Sequence, residues 1–289
     1  MPMIVAEIGC NHMGQFPLAE EMIRTAASFC KADFAKFQKR NAKELLSPTQ
    51  YCAPHPNPQH AYGATYGEHR EALEFSIAVH RDLQQLCRDV GIGYACSVWD
   101  LTSAREIASL EPTYIKIPSA SNLHWPMLDF LTKEYTGELH ISLGMTRRSE
   151  EDQLGEFLAV RGRLKDVVLY ACTSGYPVDF EQLCLREITR LSDKFGGQVK
   201  AIGFSGHHLG IAADIAAMTL GAQWIERHFT LDRTSKGSDH AASLEPDGLR
   251  KLCRDRHAVA RALQYKSKDI MDIEIAQRQK LKWDPVRHG

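Results

Sequence analysis

Short β-branched or aromatic runs alternate eight times with longer segments of helical period along this 289-residue chain. Such alternation marks βαβ units, because neighbouring parallel strands need a crossover and a helix usually supplies it. The strand candidates are MIVAEIG (3–9), FAKFQ (34–38), IGYACS (92–97), YIKIP (114–118), LHISLG (139–144), VVLYACT (167–173), KAIGFS (200–205) and QWIERHFT (223–230). Helical patterns lie near 18–30, 80–90, 102–109, 125–135, 150–161, 180–195, 210–220 and 246–263. Eight rounds in this length predict an α/β chain folded as a (β/α)8 TIM barrel, a single domain over 1–264, rather than an open doubly wound sheet. Residues 265–289 are charged, show no second core and read as a C-terminal tail.

The connection after the second strand breaks the rhythm. Residues 40–76 are rich in Pro, His and Tyr and too long for an ordinary loop, so they are read as a functional lid or a partly disordered insertion. Lys plus Arg number 35 against 36 Asp plus Glu, so the chain lacks the net positive field that nucleic-acid binding needs, and any charged ligand must be met by local groups. No run of eighteen apolar residues predicts a membrane span, and Glu7 and His12 come too early for a signal peptide, so the expected location is the cytoplasm. The eight cysteines show no CxxC spacing and are read as reduced thiols.

In a (β/α)8 enzyme the reacting groups come from the carboxyl ends of the strands. Here polar, ligand-type residues stand at that end in every round. Glu7, Asn11 and His12 follow strand one; Lys36, Gln38, Lys39 and Arg40 belong to strand two; Ser97 ends strand three. Lys116 and Ser119, then Ser142, then Thr173, Ser174 and Tyr176 continue the series, and Ser205 with His207 and Glu226 with His228 close it. Singly, each has a plainer explanation: Lys36 as a snorkelling lysine, a serine as a helix cap, Glu226 as a structural ion-pair partner, His208 as a cap or a solvent-facing ring. Together they form a pattern that chance does not readily produce. His207 and His228, on adjacent strands, suit a divalent transition metal. Lys36, Lys116 and the converging hydroxyls suit an anion such as phosphate or carboxylate.

Read in order, AEIGCNHMG, KFQ, KIPSAS, SLGM, ACTSGYP, GFSGHHLG, GAQWIERHFTLDR and GSDHAASLEP resemble the sialic acid synthase family over residues 3 to about 263. The resemblance implies condensation of phosphoenolpyruvate with a sugar aldehyde, giving a 2-keto-3-deoxy sugar acid and phosphate. It implies that Lys36, Ser97, Lys116, Ser119, Ser142 and Ser205 hold phosphoenolpyruvate, with Gln38 beside them. His207 and His228 would bind the catalytic metal, manganese, magnesium or cobalt. Glu7, Asn11, Ser121, Tyr176, Asp239 and His240 would face the sugar and the reacting carbons, with Glu7, Asp239 and His240 as candidates for proton transfer.

Three departures from the family pattern bear on the acceptor. SDH reads SGH here, so Gly206 removes a carboxylate beside His207; SGE reads SAS, so Ser121 replaces a glutamate. The family's C-terminal antifreeze-like domain, exchanged in its dimers, has no counterpart in this sequence, so a homodimer would need another interface. These changes predict an acceptor other than N-acetylmannosamine itself, including a phosphorylated sugar bound by Lys39, Arg40, Arg147, Arg148 or Arg233. Two other readings stay open: a catalytically idle relative that binds sugar or phosphoenolpyruvate, and a metal-dependent aldolase on the same barrel.

Overall fold

The computed structural model describes residues 1–283. Eight parallel strands close a barrel in sequential order: β1 (Met3–Gly9), β2 (Phe34–Lys39), β3 (Gly93–Val98), β4 (Tyr114–Ile117), β5 (Glu138–Ser142), β6 (Val167–Cys172), β7 (Ala201–Gly206) and β8 (Trp224–His228). β1 pairs with both β2 and β8, with Glu7 opposite Lys36 on one side and His228 on the other. The predicted (β/α)8 barrel is the observed one.

Strand period explains what lies on each side of the wall. Ile4, Ala6 and Ile8 point outward into the apolar shell shared with the helices, which also takes Ala35, Phe37, Cys96, Ile115, Ile117 and Ile225. The alternate residues fill the barrel: Val5, Phe34, Ala95, Tyr114, Val168, Tyr170, Ala201 and Trp224 form a separate interior cluster. One pleat further toward the carboxyl ends the same face carries Glu7, Lys36, Ser97, Lys116, Ser142, Ser205 and Glu226, all buried. The chemistry therefore rests on an aromatic layer.

The helices start and stop where local signals direct. Ser76 caps Ile77–Val90 by accepting from the Val79 amide, and Gly91 ends that helix at φ 75. Asp100 caps Leu101–Ala108 through the Ser103 amide. The pattern read as one helix over 180–195 is corrected: a single 3-10 turn at Phe180–Gln182 is followed by an α-helix only from Glu187 to Phe195. The last barrel helix spans Pro246–Ala262, and a further helix, Asp272–Leu281, buries none of its residues.

Residues 40–76 are built from short capped turns rather than left irregular. Asn41 caps Ala42–Leu45, a Ser47–Gln50 capping box starts Pro48–Cys52, and a Thr65–Glu68 box starts Tyr66–Ala72. All eight cysteines are free. Among the described residues no helix is long and apolar enough to cross a membrane.

Buried histidines lower the acid stability, His80 and His140 among them. Burial pushes His80 down to about 3 and His140 to about 4, whereas an unfolded histidine titrates near 6.5. As pH falls from about 6.5 toward 4, the unfolded chain binds protons that the folded chain refuses. Stability should then fall by up to about 1.4 kcal/mol per pH unit for each histidine. Urea denaturation at pH 7 and 4.5 measures this loss, and His80→Asn should make it shallower by one proton's share.

Candidate active site

The carboxyl ends of the strands open into a cavity of about 430 Å³. Its base is a cluster of four opposed charges. Lys36 Nζ lies 2.5 Å from Glu7 Oε2 and 3.7 Å from Glu226 Oε2, and donates to Ser97 Oγ at 2.6 Å. Lys116 Nζ donates to both Glu226 oxygens, at 3.0 and 2.9 Å, and Ser205 Oγ donates to the same carboxylate at 3.1 Å.

The two carboxyls are driven apart. Burial pushes Glu7 up, and Lys36 only partly opposes it. Burial would push Glu226 up as well, but Lys116 and Lys36 together outweigh it and hold this carboxyl far below its usual range. Burial pushes Lys116 down, with Glu226 opposing. Glu226 thus stays ionised while Glu7 is the carboxyl able to carry a proton, a division of labour found where acid–base chemistry is done.

His207 and His228 stand beside this cluster with ring centroids 5.4 Å apart, and the Tyr176 ring packs 4.3 Å from His207. Burial lowers both imidazoles, His207 to about 3, so both are neutral. His207 Nδ1 faces the Thr173 carbonyl at 3.1 Å, which orients the ring and leaves Nε2 as the free ligand atom. His228 Nδ1 is buried without a hydrogen-bond partner, with Asp239 Oδ2 4.0 Å away. Among the described residues no three His, Cys, Asp or Glu side chains converge on a metal position. The chain offers two neutral imidazoles, one of them with an orphaned nitrogen, a donor set that would fit a divalent ion.

The outer wall comes from the 40–76 segment and the loop after β8. His55, His60, Tyr62, Tyr66, His69 and Arg70 reach the cavity from the first, and Lys236 to His240 from the second. They meet where Tyr62 donates to the Lys236 carbonyl at 2.5 Å and the Gly237 amide donates to His60 Nδ1 at 3.1 Å. The segment is thus a lid closed over one side of the mouth.

Of the residues singled out from sequence, the cavity brings together Glu7, Asn11, Lys36, Gln38, Ser97, Lys116, Ser119, Ser142, Tyr176, Ser205, His207, His228, Asp239 and His240. Asn11 donates its amide to the Phe229 carbonyl and Ser243, and His240 pairs with the Thr230 hydroxyl. Ser121 is outside the wall, its hydroxyl turned to the Trp99 carbonyl at 2.8 Å. His12 is also outside, stacked on Phe75.

The expected phosphate-binding cations are corrected. Lys39 pairs with Glu106, Arg147 and Arg148 serve helix Arg148–Val160, and Arg233 donates to the Ala241 carbonyl; only Arg40 reaches the cavity. Sequence reasoning missed Arg70 and Lys236, which line the wall and make no ion pair with a carboxylate among the described residues. Arg70 lies over the Tyr66 and Trp99 rings, and Lys236 over the Tyr62 ring.

His208 neither caps nor faces solvent. It is fully buried, and Arg227 donates to its Nε2 and its carbonyl, to the Gly210 carbonyl and to the equally buried Asp214. This also explains Gly206: a Cβ there would lie 2.6 Å from the Phe204 ring and 2.9 Å from the His208 ring. A side chain at 206 and the His208 ring compete for one space.

Residues 22–268 match the NeuB family. The chain belongs to the NeuB family. It is 38% identical to the N-acetylneuraminate-9-phosphate synthase of Homo sapiens, over 96% of this chain and 76% of that one. It is 33% identical to the N,N'-diacetyllegionaminic acid synthase of Campylobacter jejuni, over 90% and 77%. The crystal structure of N-acetylneuraminic acid (sialic acid) synthetase from Leptospira borgpetersenii, in complex with citrate, superposes with a TM-score of 0.81 at 25% identity, covering 98% of this chain and 94% of that one. This NeuB-family chain is accordingly a synthase.

Removing Arg227 would leave Asp214 charged in an apolar turn. Arg227→Met should cost about 3–5 kcal/mol in urea denaturation, and Arg227→Met with Asp214→Leu should recover most of it.

Proposed function

We propose that the chain condenses phosphoenolpyruvate with a sugar aldehyde to give a 2-keto-3-deoxy sugar acid and inorganic phosphate. The observation that carries this reading is the buried pair Lys36 and Lys116, ringed by Ser97, Ser119, Ser142 and Ser205 at the closed end of the cavity. Lysines as point charges and hydroxyls as donors match a small molecule bearing a phosphate and a carboxylate.

C3 of phosphoenolpyruvate attacks the aldehyde carbon, and positive charge builds at C2, where the ionised Glu226 stabilises it. Water adds to C2, and the C2–O bond to phosphorus's bridging oxygen breaks, releasing phosphate with the electron pair. Glu7 is placed to pass protons between that water and the new alkoxide, with Asp239 and His240 beside the sugar. His207 and His228 would hold Mn2+, Mg2+ or Co2+, which when bound supplies Lewis-acid polarisation of the aldehyde oxygen. A cytoplasmic location is part of the same proposal, supported by the use of a soluble metabolite as substrate.

For the acceptor we assign a phosphorylated amino-sugar aldehyde. Relatives at 37% and 38% identity are N-acetylneuraminate-9-phosphate synthases, and Arg70 and Lys236 offer cations on the outer cavity wall that no carboxylate among the described residues neutralises. Arg40, held by Glu74 at 2.5 Å, contributes less free charge.

Purified protein with manganese, phosphoenolpyruvate and a panel of N-acylhexosamines and their 6-phosphates should release one phosphate per product three carbons longer than the acceptor. Silence across the panel would sink the reading. Lys116→Ala should raise KM for phosphoenolpyruvate at least about tenfold and leave acceptor KM nearly unchanged. His228→Ala should abolish metal-dependent turnover while Tm stays within a few degrees. Arg70→Ala should raise KM for the phosphorylated acceptor about tenfold and spare the unphosphorylated sugar; equal effects on both would remove the phosphate from the acceptor.

A further inference from the structure

We propose that Tyr170 is a positioning residue for this reaction: its ring face carries the Lys116 ammonium and fixes its place at the base of the phosphoenolpyruvate pocket. The inference rests on the reading of the cavity as a phosphoenolpyruvate site and adds a part to it.

Lys116 Nζ lies 3.7 Å from the centroid of the Tyr170 ring. The ammonium is also held by Glu226, and both side chains are buried at the cavity base. Burial pushes Lys116 toward its neutral form, and the groups facing it are Glu226 from β8, Glu7 from β1, Lys36 from β2, Cys172 from β6 and His140 from β5. Of the two carboxyls Glu226 is the one bonded to the ammonium, while Glu7 pairs with Lys36. An aliphatic residue at 170 would leave the underside of the ammonium against hydrocarbon, whereas an aromatic face presents negative electrostatic potential to a cation that has lost its water.

The ring is itself held in place. The Tyr170 hydroxyl and His140 Nδ1 are 2.9 Å apart. His140 is stacked on Tyr114 at 3.7 Å and 9°, meets Trp224 edge-on at 4.6 Å, and pairs through Nε2 with Glu138 at 3.4 Å. Glu138 in turn is tied to Lys200 at the amino-terminal end of the barrel wall. Gly203 leaves the space: a Cβ there would stand 2.7 Å from two carbons of the Tyr170 ring. Barrel interiors are dominated by branched aliphatic side chains, so Tyr114, His140, Tyr170 and Trp224 gathered beside a glycine call for a reason. The cation on the Tyr170 ring supplies one.

The test is calorimetric titration of the full-length protein with phosphoenolpyruvate alone, which needs no acceptor. Tyr170→Phe, and phenylalanine carrying one, two or three ring fluorines at position 170, change the ring's electron density at nearly constant size. Tyr170→Phe should bind within about twofold of the parent, and affinity should fall stepwise with fluorine count, to about tenfold weaker at three. Tyr170→Leu should lose at least as much, with KM for phosphoenolpyruvate raised and acceptor KM unchanged. A flat fluorine series overturns the proposal, as does a Tyr170→Leu variant that folds and loses both substrates equally. If that variant does not fold, the size-matched series still decides. A parent protein that does not bind phosphoenolpyruvate refutes the reading of the cavity itself, not the role of the ring within it.

Discussion

The buried quartet of Glu7, Lys36, Lys116 and Glu226 is the constraint on which the rest of the architecture depends. Taking four ions out of water costs several kcal/mol each, and the cost is tolerable only while every charge keeps its partners in good geometry. A closed eight-stranded barrel provides that geometry, because four different strands bring the four side chains together inside its carboxyl end. The outward face of the same strands, packed by helices, supplies the apolar burial that offsets the expense. Stability and chemistry are thereby divided between the two sides of one wall.

The opposed charges also set what can enter. An anion reaching Lys36 and Lys116 competes with Glu7 and Glu226 for the same ammonium groups, and the carboxyl most easily relieved of its charge is Glu7. The histidine pair is neutral, so it adds no positive charge beside the two lysines. Arg227, buried behind β8, keeps the turn bearing His207 and His208 rigid without placing charge in the cavity.

Period-two patterning in β-branched runs made all eight strands legible, and strand-end polarity pointed to most of the cavity wall. What escaped was tertiary. Glu226 looked like an ion-pair partner, and it is one, but sequence does not show that its partners are the two pocket lysines, Lys36 and Lys116. Ser121 sits in a familiar motif and turns its hydroxyl back to the Trp99 carbonyl because the 3-10 turn at Ser119–Ser121 rotates it away. Arg70 and Lys236 are more than 160 residues apart and meet the same space only through lid closure, which leaves no trace in local periodicity. The segment 180–195 was misread because its apolar spacing continues through a turn that the backbone breaks at Cys184, where φ is 49.

The lid is attached unequally. Its two roots are fixed, by Lys39 to the Phe75 carbonyl, by Arg40 to Glu74, and by the Asn41 amide to Asp100. Its tip meets the opposite loop through two hydrogen bonds and one cation–ring contact. Each such bond contributes about 1 kcal/mol net, so opening the tip costs little next to unseating the roots. The segment is therefore a flap with a stiff hinge and a weak clasp, and traffic through the mouth can proceed while the charged base of the barrel stays assembled.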